Sequence, residues 1–244
     1  MSRLRHGSVP PPQSGGGGPR SGPEGAAPRR GAAPSVGFAD SSPVNGGASK
    51  AALVVIACGA LAREVKAVVE RNGLASIKLA CIPAQLHNRP NLIPEAVRKK
   101  IEELRPLGAP IFCAYGDCGT GGELDRVLLA EGVERLPGAH CYAFYSGLDA
   151  FEEMHDDEPG TFYLTDFLAR HFDRLIVKGL GLDRHPQLFD DYFRNYRRVI
   201  WLAQSPSDDL AERARRAAAF LKLPLVIHET GFGLLETELL RKAS

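Results

Sequence analysis

Cysteine is the residue type most able to do chemistry in this chain, and it occurs at positions 58, 81, 113, 118 and 141. The N-terminus lacks the apolar stretch of roughly seven to fifteen residues that an export signal needs. We therefore expect a cytoplasmic protein, and the cytosol keeps thiols reduced. The thiols are predicted to be free, catalytic or metal-bound rather than paired in disulfides.

Three of these thiols are predicted to meet at one edge of a sheet. Cys58 ends the apolar strand AALVVIAC, Cys118 follows the strand PIFCAYGD, and Cys141 comes directly after His140 in a segment that could fold back over the same edge. The carboxyl ends of parallel strands converge where ligands usually bind. We predict a metal site of Cys58, Cys118 and Cys141, with His140 as a fourth ligand or as a partner of one.

The remaining two thiols have a different setting. Cys81 and Cys113 each lie inside a continuous apolar strand, where cysteine behaves as a small hydrophobic residue. They are left out of the predicted site.

The donor types suit zinc, and the alternative is a [4Fe-4S] cluster in which three cysteines leave one iron open. No CxxC pair is present, so small buried residues are the competing interpretation. A second alternative is that Cys58 or Cys118 is a metal-free nucleophile, because each precedes a predicted helix whose N-terminus would lower a thiol pKa. His87, His140 or His228 could then act as base.

Residues for substrate binding and proton transfer are predicted from the loops that follow the strands. The loop DCGTGG has backbone amides free to approach an anion, and tight-turn glycines are the alternative. The polar triplet Asp183-Arg184-His185 offers a substrate a hydrogen-bond acceptor and the forked donor of an arginine. The alternative, which explains the triplet equally well, is that it caps the helix that follows. The predicted substrate-binding residues are Arg89, Gly119, Thr120, Gly121, Asp183 and Arg184. His228 and Glu229, after the last strand, are predicted to transfer protons.

The elements that position these residues alternate between strand and helix. Three strand–helix rounds begin at residues 51, 76 and 110, and further strands are predicted at 140–145, 198–204 and 224–230. This order predicts an α/β fold with a mostly parallel sheet and flanking helices, of the three-layer, doubly wound type. A helical insert is predicted in the middle of the chain.

The first fifty residues have another composition. They hold 11 Gly and 8 Pro without a hydrophobic period, which predicts a disordered tail at 1–50 and a single domain at 51–244. The tail carries six Lys or Arg against Glu24 and Asp40, too diffuse a charge to favour nucleic acid as a partner. No apolar run approaches the roughly 20 residues that cross a bilayer, so no membrane partner is expected.

Several motifs resemble those of an uncharacterised bacterial and archaeal family named for domain of unknown function 1638. They are ACGALARE, LHNRP, YGDCGTGG, LPGAHCYAF, EPGTFYLTDFLARHFD, GLGLDRHP and TGFGLLE, spread over about residues 52–237. Cys58, Cys118, His140 and Cys141 lie within them. The resemblance implies no assigned activity, but some relatives are associated with corrinoid and methylamine methyl-transfer systems, which implies one-carbon chemistry.

The resulting hypothesis is a metal-thiolate enzyme that transfers a methyl or other small group to or from a small anionic substrate. Zinc keeps a bound thiolate deprotonated and nucleophilic near neutral pH. The resemblance implies a corrinoid methyl-transfer protein as partner, with corrinoid reached only through it. The rival hypotheses are a non-enzymatic metal or corrinoid carrier or chaperone, and a metal-free cysteine-nucleophile enzyme.

Overall fold

The first half of the fold is a parallel sheet built on a fully buried central strand. A computed structural model describes residues 53–244, and the predicted tail at 1–50 lies outside them. The strands of this first sheet are β1 (Leu53–Cys58), β2 (Ile77–Ile82), β3 (Ile111–Ala114) and β4 (Glu134–Arg135). Their order is β2-β1-β3-β4, and every neighbouring pair is parallel. Every residue of β1 is buried, which fits a strand covered on both faces.

Helices cover this first sheet on both faces. They are α1 (Ala62–Arg71), α2 (Ile93–Leu104), α3 (Glu123–Glu131) and, from the far end of the chain, α9 (Gly233–Ala243). α2 packs beside α3, whereas α1 packs beside α9. Val65 and Val68 of α1 and Leu235 and Leu239 of α9 are buried in the same core. Among the helices of residues 53–244, none is long and apolar enough to cross a membrane.

The second half repeats the architecture with a smaller parallel sheet. Its strands are β5 (Thr161–Thr165), β6 (Arg198–Ala203) and β7 (Leu225–Glu229), in that order. Its helices are α4 (Cys141–Ser146), α5 (Leu148–Asp157), α6 (Asp166–Phe172), α7 (Phe189–Phe193) and α8 (Asp208–Leu221). α6 and α8 share one core with this sheet, while side chains of α4 and α5 pack on Tyr163, Ile200 and Leu202.

The predicted α/β class with parallel strands and flanking helices is confirmed, and the structure divides the strands between two sheets. The predicted strand at 140–145 is wrong, because Cys141–Ser146 is helix α4. Strand β5 was not anticipated at all, since TFYLT stands directly before the helical pattern DFLARHF. The predicted helical insert is present as α5 and α6, with β5 between them.

Candidate thiol site

The first sheet has a switch point between β1 and β3. The chain runs from β1 to β2 on one side, and then crosses to β3 on the other. Right-handed crossovers place the two connecting helices on opposite faces, which opens a crevice at the carboxyl ends of β1 and β3. Cys58 is the last residue of β1, and Cys118 lies in the loop that follows β3. Two of the three predicted thiols therefore flank this crevice.

Cys58 is held at the floor of the crevice. Its Sγ accepts a hydrogen bond of 3.3 Å from the backbone N–H of Ala60, which caps the short helical turn after β1. The side chain is buried, and Nδ1 of His87 lies 3.8 Å from the sulfur. Burial raises the pKa of the Cys58 thiol above its ordinary value. Without a further positive charge, this thiol is kept protonated.

Cys118 is more accessible than Cys58 and has a strained backbone. Its φ angle is 51°, in the left-handed region that disfavours side chains with a Cβ. Its N–H donates a 2.7 Å hydrogen bond to the carbonyl of Ala139, which fixes the loop against the segment that precedes α4. The side chain is half-buried.

Cys141 is brought to the crevice by the segment that runs beside the Cys118 loop. The N–H of Asp117 also bonds to this segment, at the carbonyl of Gly138. Gly116 allows this segment to pass close to the backbone after β3, because a Cβ at this position would lie 3.0 Å from the Cα of His140. Burial, and then the charges of Cys118 and Cys58, raise the pKa of Cys141 well above its ordinary value. The three thiols are thus close enough to act on one another electrostatically.

His87 and Tyr115 complete the thiol site, which we define as Cys58, His87, Tyr115, Cys118 and Cys141. The two rings stack with centroids 5.8 Å apart. Burial lowers the pKa of His87, but its interactions with Cys118 and the carbonyl of Ala84 outweigh this and raise it. The buried Tyr115 hydroxyl lies beside the thiol of Cys58, and burial raises the pKa of this hydroxyl. Sequence reasoning named His87 only as one of three bases and missed Tyr115, whose signal was a position directly after a buried strand.

His140 does not face the thiols. Its ring packs at 5.4 Å from Phe151 and 5.6 Å from Tyr142, on the α4–α5 side. Burial, and then the charge of His155, lower its pKa, and its buried Nδ1 has no hydrogen-bond partner. The histidine that interacts with both Cys58 and Cys118 is His87.

The glycine-rich loop binds a carboxylate of its own. Asp117 accepts hydrogen bonds from the N–H groups of Gly121 and Gly122 at 3.2 and 2.9 Å, and from the Thr120 hydroxyl at 2.5 Å. Although partial burial opposes it, these bonds and one from Gly119 lower the pKa of Asp117. A substrate anion at Gly119, Thr120 and Gly121 would have to displace Asp117.

A protein family matches most of the described chain. A family described as "Protein of unknown function (DUF1638)" matches residues 81–239. The chain belongs to this family. No curated protein and no solved structure matches the chain.

The family match covers most of the thiol site. Cys118, Cys141, His87 and Tyr115 lie within residues 81–239, whereas Cys58 precedes them. The match therefore starts later than the resemblance at about residue 52 suggested. It also includes the core thiols at 81 and 113, so membership alone does not separate site thiols from core thiols.

The other predicted residues lie on exposed parts of the surface, and Arg89 lies next to Pro90, which packs near Gly119 of the Cys118 loop. Arg89 is exposed in the loop after β2. Asp183 and Arg184 are exposed beside the second core, 3.9 Å apart at their charged atoms. His228 and Glu229 are exposed on β7, an edge strand of the second sheet.

The donor set suits a soft metal in its chemistry, but the side chains are not arranged as ligands. Across residues 53–244, no group of three or more His, Cys, Asp or Glu side chains is placed to hold a metal ion. Cys58, Cys118, Cys141 and His87 nevertheless offer the sulfur and imidazole donors that zinc and iron–sulfur clusters take.

Proposed function

We propose that this protein is a metal-thiolate enzyme in which Cys58, Cys118 and Cys141 hold zinc or a [4Fe-4S] cluster. It transfers a methyl or other small group to or from a small anionic substrate. A corrinoid methyl-transfer protein is the proposed partner. The observation that supports the proposal is the position of Cys58 and Cys118 at the carboxyl ends of neighbouring strands β1 and β3, together with the electrostatic interaction of both with Cys141.

A cation at the thiol site would change the protonation of its thiols. Burial raises the pKa of both Cys58 and Cys141, and neighbouring thiolates raise that of Cys141 further. A bound cation would reverse this, because a coordinating thiol is deprotonated outright. The metal would supply the charge that keeps the sulfurs nucleophilic.

In this proposal, His87 and Tyr115 contact the substrate. His87 borders both Cys58 and Cys118, so it replaces His140 in the proposed ligand set or moves a proton at the leaving group. The Tyr115 hydroxyl, beside the Cys58 thiol, is a donor that a substrate oxygen could accept. Because His87 interacts with Cys58 and Cys118, whereas His228 and Glu229 lie on β7 of the second sheet, we assign proton transfer to His87 instead.

Metal analysis of protein purified without oxygen tests the proposal. We expect about one equivalent of zinc, or the iron and visible absorbance of a cluster, in the full-length protein. Cys118→Ser and Cys141→Ser should each lower the metal content strongly. Cys81→Ser is the matched control, because that thiol lies within β2 and is not placed among the ligands.

Two outcomes would overturn the metal-thiolate assignment. The first is zinc and iron both below about a tenth of an equivalent after expression with added metal. The second is an equal loss of metal in Cys81→Ser and Cys118→Ser, which would indicate adventitious binding to any thiol.

A metal-free cysteine enzyme is the second candidate, and one observation favours it. Cys118 is half-buried at a strained, left-handed position after a strand, and His87 interacts with its side chain. Strain and an adjacent base are common at nucleophiles. If metal is absent, iodoacetamide should alkylate Cys118 faster than any other thiol, and His87→Gln should slow that reaction. Equal alkylation of Cys118 and Cys81 would remove this candidate.

A further inference from the structure

A polar cleft of about 250 Å³ lies between the two halves of the fold, outside the thiol site. Helix α1 forms one wall, α6 and Ser205 form the other, and Phe232 closes one side. Arg63 and Lys66 are exposed at its rim, while Glu64 and Arg170 lie deeper. The volume suits a molecule of a few heavy atoms.

Two buried polar atoms in this cleft have no partner. Glu64 is only 4% exposed, and its Oε2 makes no hydrogen bond. Nη1 of Arg170 is also buried without a hydrogen bond, and it lies 3.9 Å from Oε1 of Glu64, too far for one. Glu64 and Arg170 therefore form a long ion pair that leaves a buried acceptor and a buried donor without hydrogen bonds, which is rare enough to need an explanation.

Asp166, the other deep carboxylate, is already satisfied. It accepts hydrogen bonds from Nε1 of Trp201 at 3.0 Å, and from the N–H groups of Gln204 and Ser205 at 3.3 and 2.8 Å. Its distance to Nη2 of Arg170 is 4.0 Å. Asp166 thus shapes the wall, and Glu64 and Arg170 are left to meet a ligand.

We infer that the cleft binds a small carboxylate that carries a hydrogen-bond donor on the adjacent carbon, an α-hydroxy or α-amino acid. Arg170 takes the carboxylate, and Glu64 accepts the neighbouring O–H or N–H. Guanidinium–carboxylate pairs are the strong, geometrically specific contacts of this kind. Arg63 and Lys66 at the rim add positive charge that favours an acid.

The charge balance around Glu64 supports this assignment. The groups that face it are Arg63, Lys66 and Glu70 from α1, Asp166 and Arg170 from α6, and the hydroxyl of Ser205. Burial raises the pKa of Glu64, and the charge of Arg170 only partly offsets it. A donor from the ligand relieves a carboxylate that is otherwise costly to bury.

The cleft is a neighbour of the thiol site. Glu64 lies in the first turn of α1, which follows Cys58 directly through the short helical turn Gly59–Leu61. An acid bound at Arg170 is therefore placed to be the small anionic substrate of the proposed enzyme. That last step alone rests on the proposed function, and binding in the cleft does not.

Calorimetric titration of the full-length protein with three matched acids tests the inference. L-lactate and L-alanine carry a donor beside the carboxylate, and propionate has the same carbon skeleton without it. We expect lactate or alanine to bind at least about tenfold more tightly than propionate, the worth of one hydrogen bond to a charged group. The comparison between lactate and alanine shows which donor the site takes.

Variants assign the contacts. Arg170→Met should abolish binding of all three acids, and Arg170→Lys, which keeps the charge without the fork, should weaken it if Arg170→Met fails to fold. Glu64→Met should bring lactate and alanine down to the level of propionate. Arg71→Met is the control, because Arg71 lies on α1 outside the cleft, and it should change nothing.

Three results would overturn the inference. Equal affinity for propionate and lactate would show that Glu64 accepts no hydrogen bond from the ligand. If none of the three acids bound, the cleft would not be a site for small carboxylates. Unchanged affinity in Arg170→Lys would place the acid elsewhere. Each result can occur whether or not the thiols hold metal.

Discussion

The carboxyl ends of the two sheets use polar side chains in opposite ways. In the second sheet, Asp166 follows β5 and accepts three hydrogen bonds, while Gln204 after β6 accepts the N–H of Asp166 at 2.9 Å. In the first sheet, the Tyr115 hydroxyl lies beside the buried thiol of Cys58, Cys141 is partly buried, and both thiols have raised pKa values. The carboxylate of Asp166 at one edge is satisfied by its own hydrogen bonds, and we propose that the thiols at the other edge meet a ligand.

This difference shows how one architecture separates stability from chemistry. A satisfied buried network stabilises the fold and specifies one arrangement. Unsatisfied buried groups destabilise the free protein and are retained where a ligand meets them. We therefore expect substitutions at the second edge to lower stability, and substitutions at the first edge to change binding.

The largest effect should come from Asp166→Ala. It leaves three donors unmatched, one of them the buried indole N–H of Trp201, so the free energy of unfolding should fall by about 3–5 kcal/mol. Urea unfolding followed by tryptophan fluorescence measures it. Asp156→Ala, at an exposed position of α5, is the control. A loss of stability below about 1 kcal/mol would contradict the comparison, because the hydrogen-bond network of Asp166 would then not stabilise the fold.

A smaller effect separates core thiols from site thiols. Cys113 is fully buried in β3, where burial raises its pKa to about 12, and Cys113→Ser should lower stability by about 1–3 kcal/mol because the hydroxyl has no partner there. Cys118→Ser, at a half-buried position, should lower it by less than about 0.5 kcal/mol. Equal losses would mean that Cys118 is a packing residue.

A change in the opposite direction is expected from Cys118→Gly. Removing Cβ relieves the left-handed φ of 51°, which should stabilise the protein by about 0.5–1 kcal/mol while abolishing metal binding. Lys222→Gly is the matched control, because Lys222 has a φ of 57° at the end of α8. It should gain similar stability and keep its metal. A loss of stability in Cys118→Gly would show that the thiol contributes to the fold.

The smallest effect tests the ion pair that anchors the segment before Cys141. Arg135 binds Asp125 at 2.6 and 2.9 Å and also donates to the carbonyls of Leu136 and Gly138. Asp125 is half exposed, so Asp125→Asn should cost under about 1 kcal/mol at pH 7. The pair lowers the pKa of Asp125 in the folded state, so its stabilisation is present above the unfolded pKa of about 3.9 and is lost as pH falls through the folded value. A difference from wild type that persists at pH 2 would contradict this cause.

Periodicity and turn chemistry predicted much of the fold. Runs of β-branched or apolar residues coincide with strands β1, β2, β3, β6 and β7. Such runs are typical of buried strands, so these five strands could be predicted. Strand β5 was not predicted, because TFYLT directly precedes a helix without a turn signal. Helix α4 was predicted as a strand, because CYAFY is rich in residues that favour strands. Local preference was overridden there by packing against the second sheet.

The candidate site was predicted in part. Strand ends identified Cys58 and Cys118, because sheet topology follows from the order of elements. The orientation of His140 towards Phe151 and the occupation of the glycine loop by Asp117 depend on side-chain contacts between distant segments. The same is true of the cleft at Glu64 and Arg170, which come from different halves of the chain.

Cobalt titration tests the central claim, that Cys58, Cys118 and Cys141 act as one site, most directly. Thiolate ligands give Co²⁺ an intense near-ultraviolet charge-transfer band that grows with their number. We expect the metal-depleted protein to bind about one equivalent with a strong band, and Cys58→Ser, Cys118→Ser and Cys141→Ser each to weaken it while Cys81→Ser leaves it unchanged. A band that is absent, or that no substitution at these three positions weakens, would contradict the account.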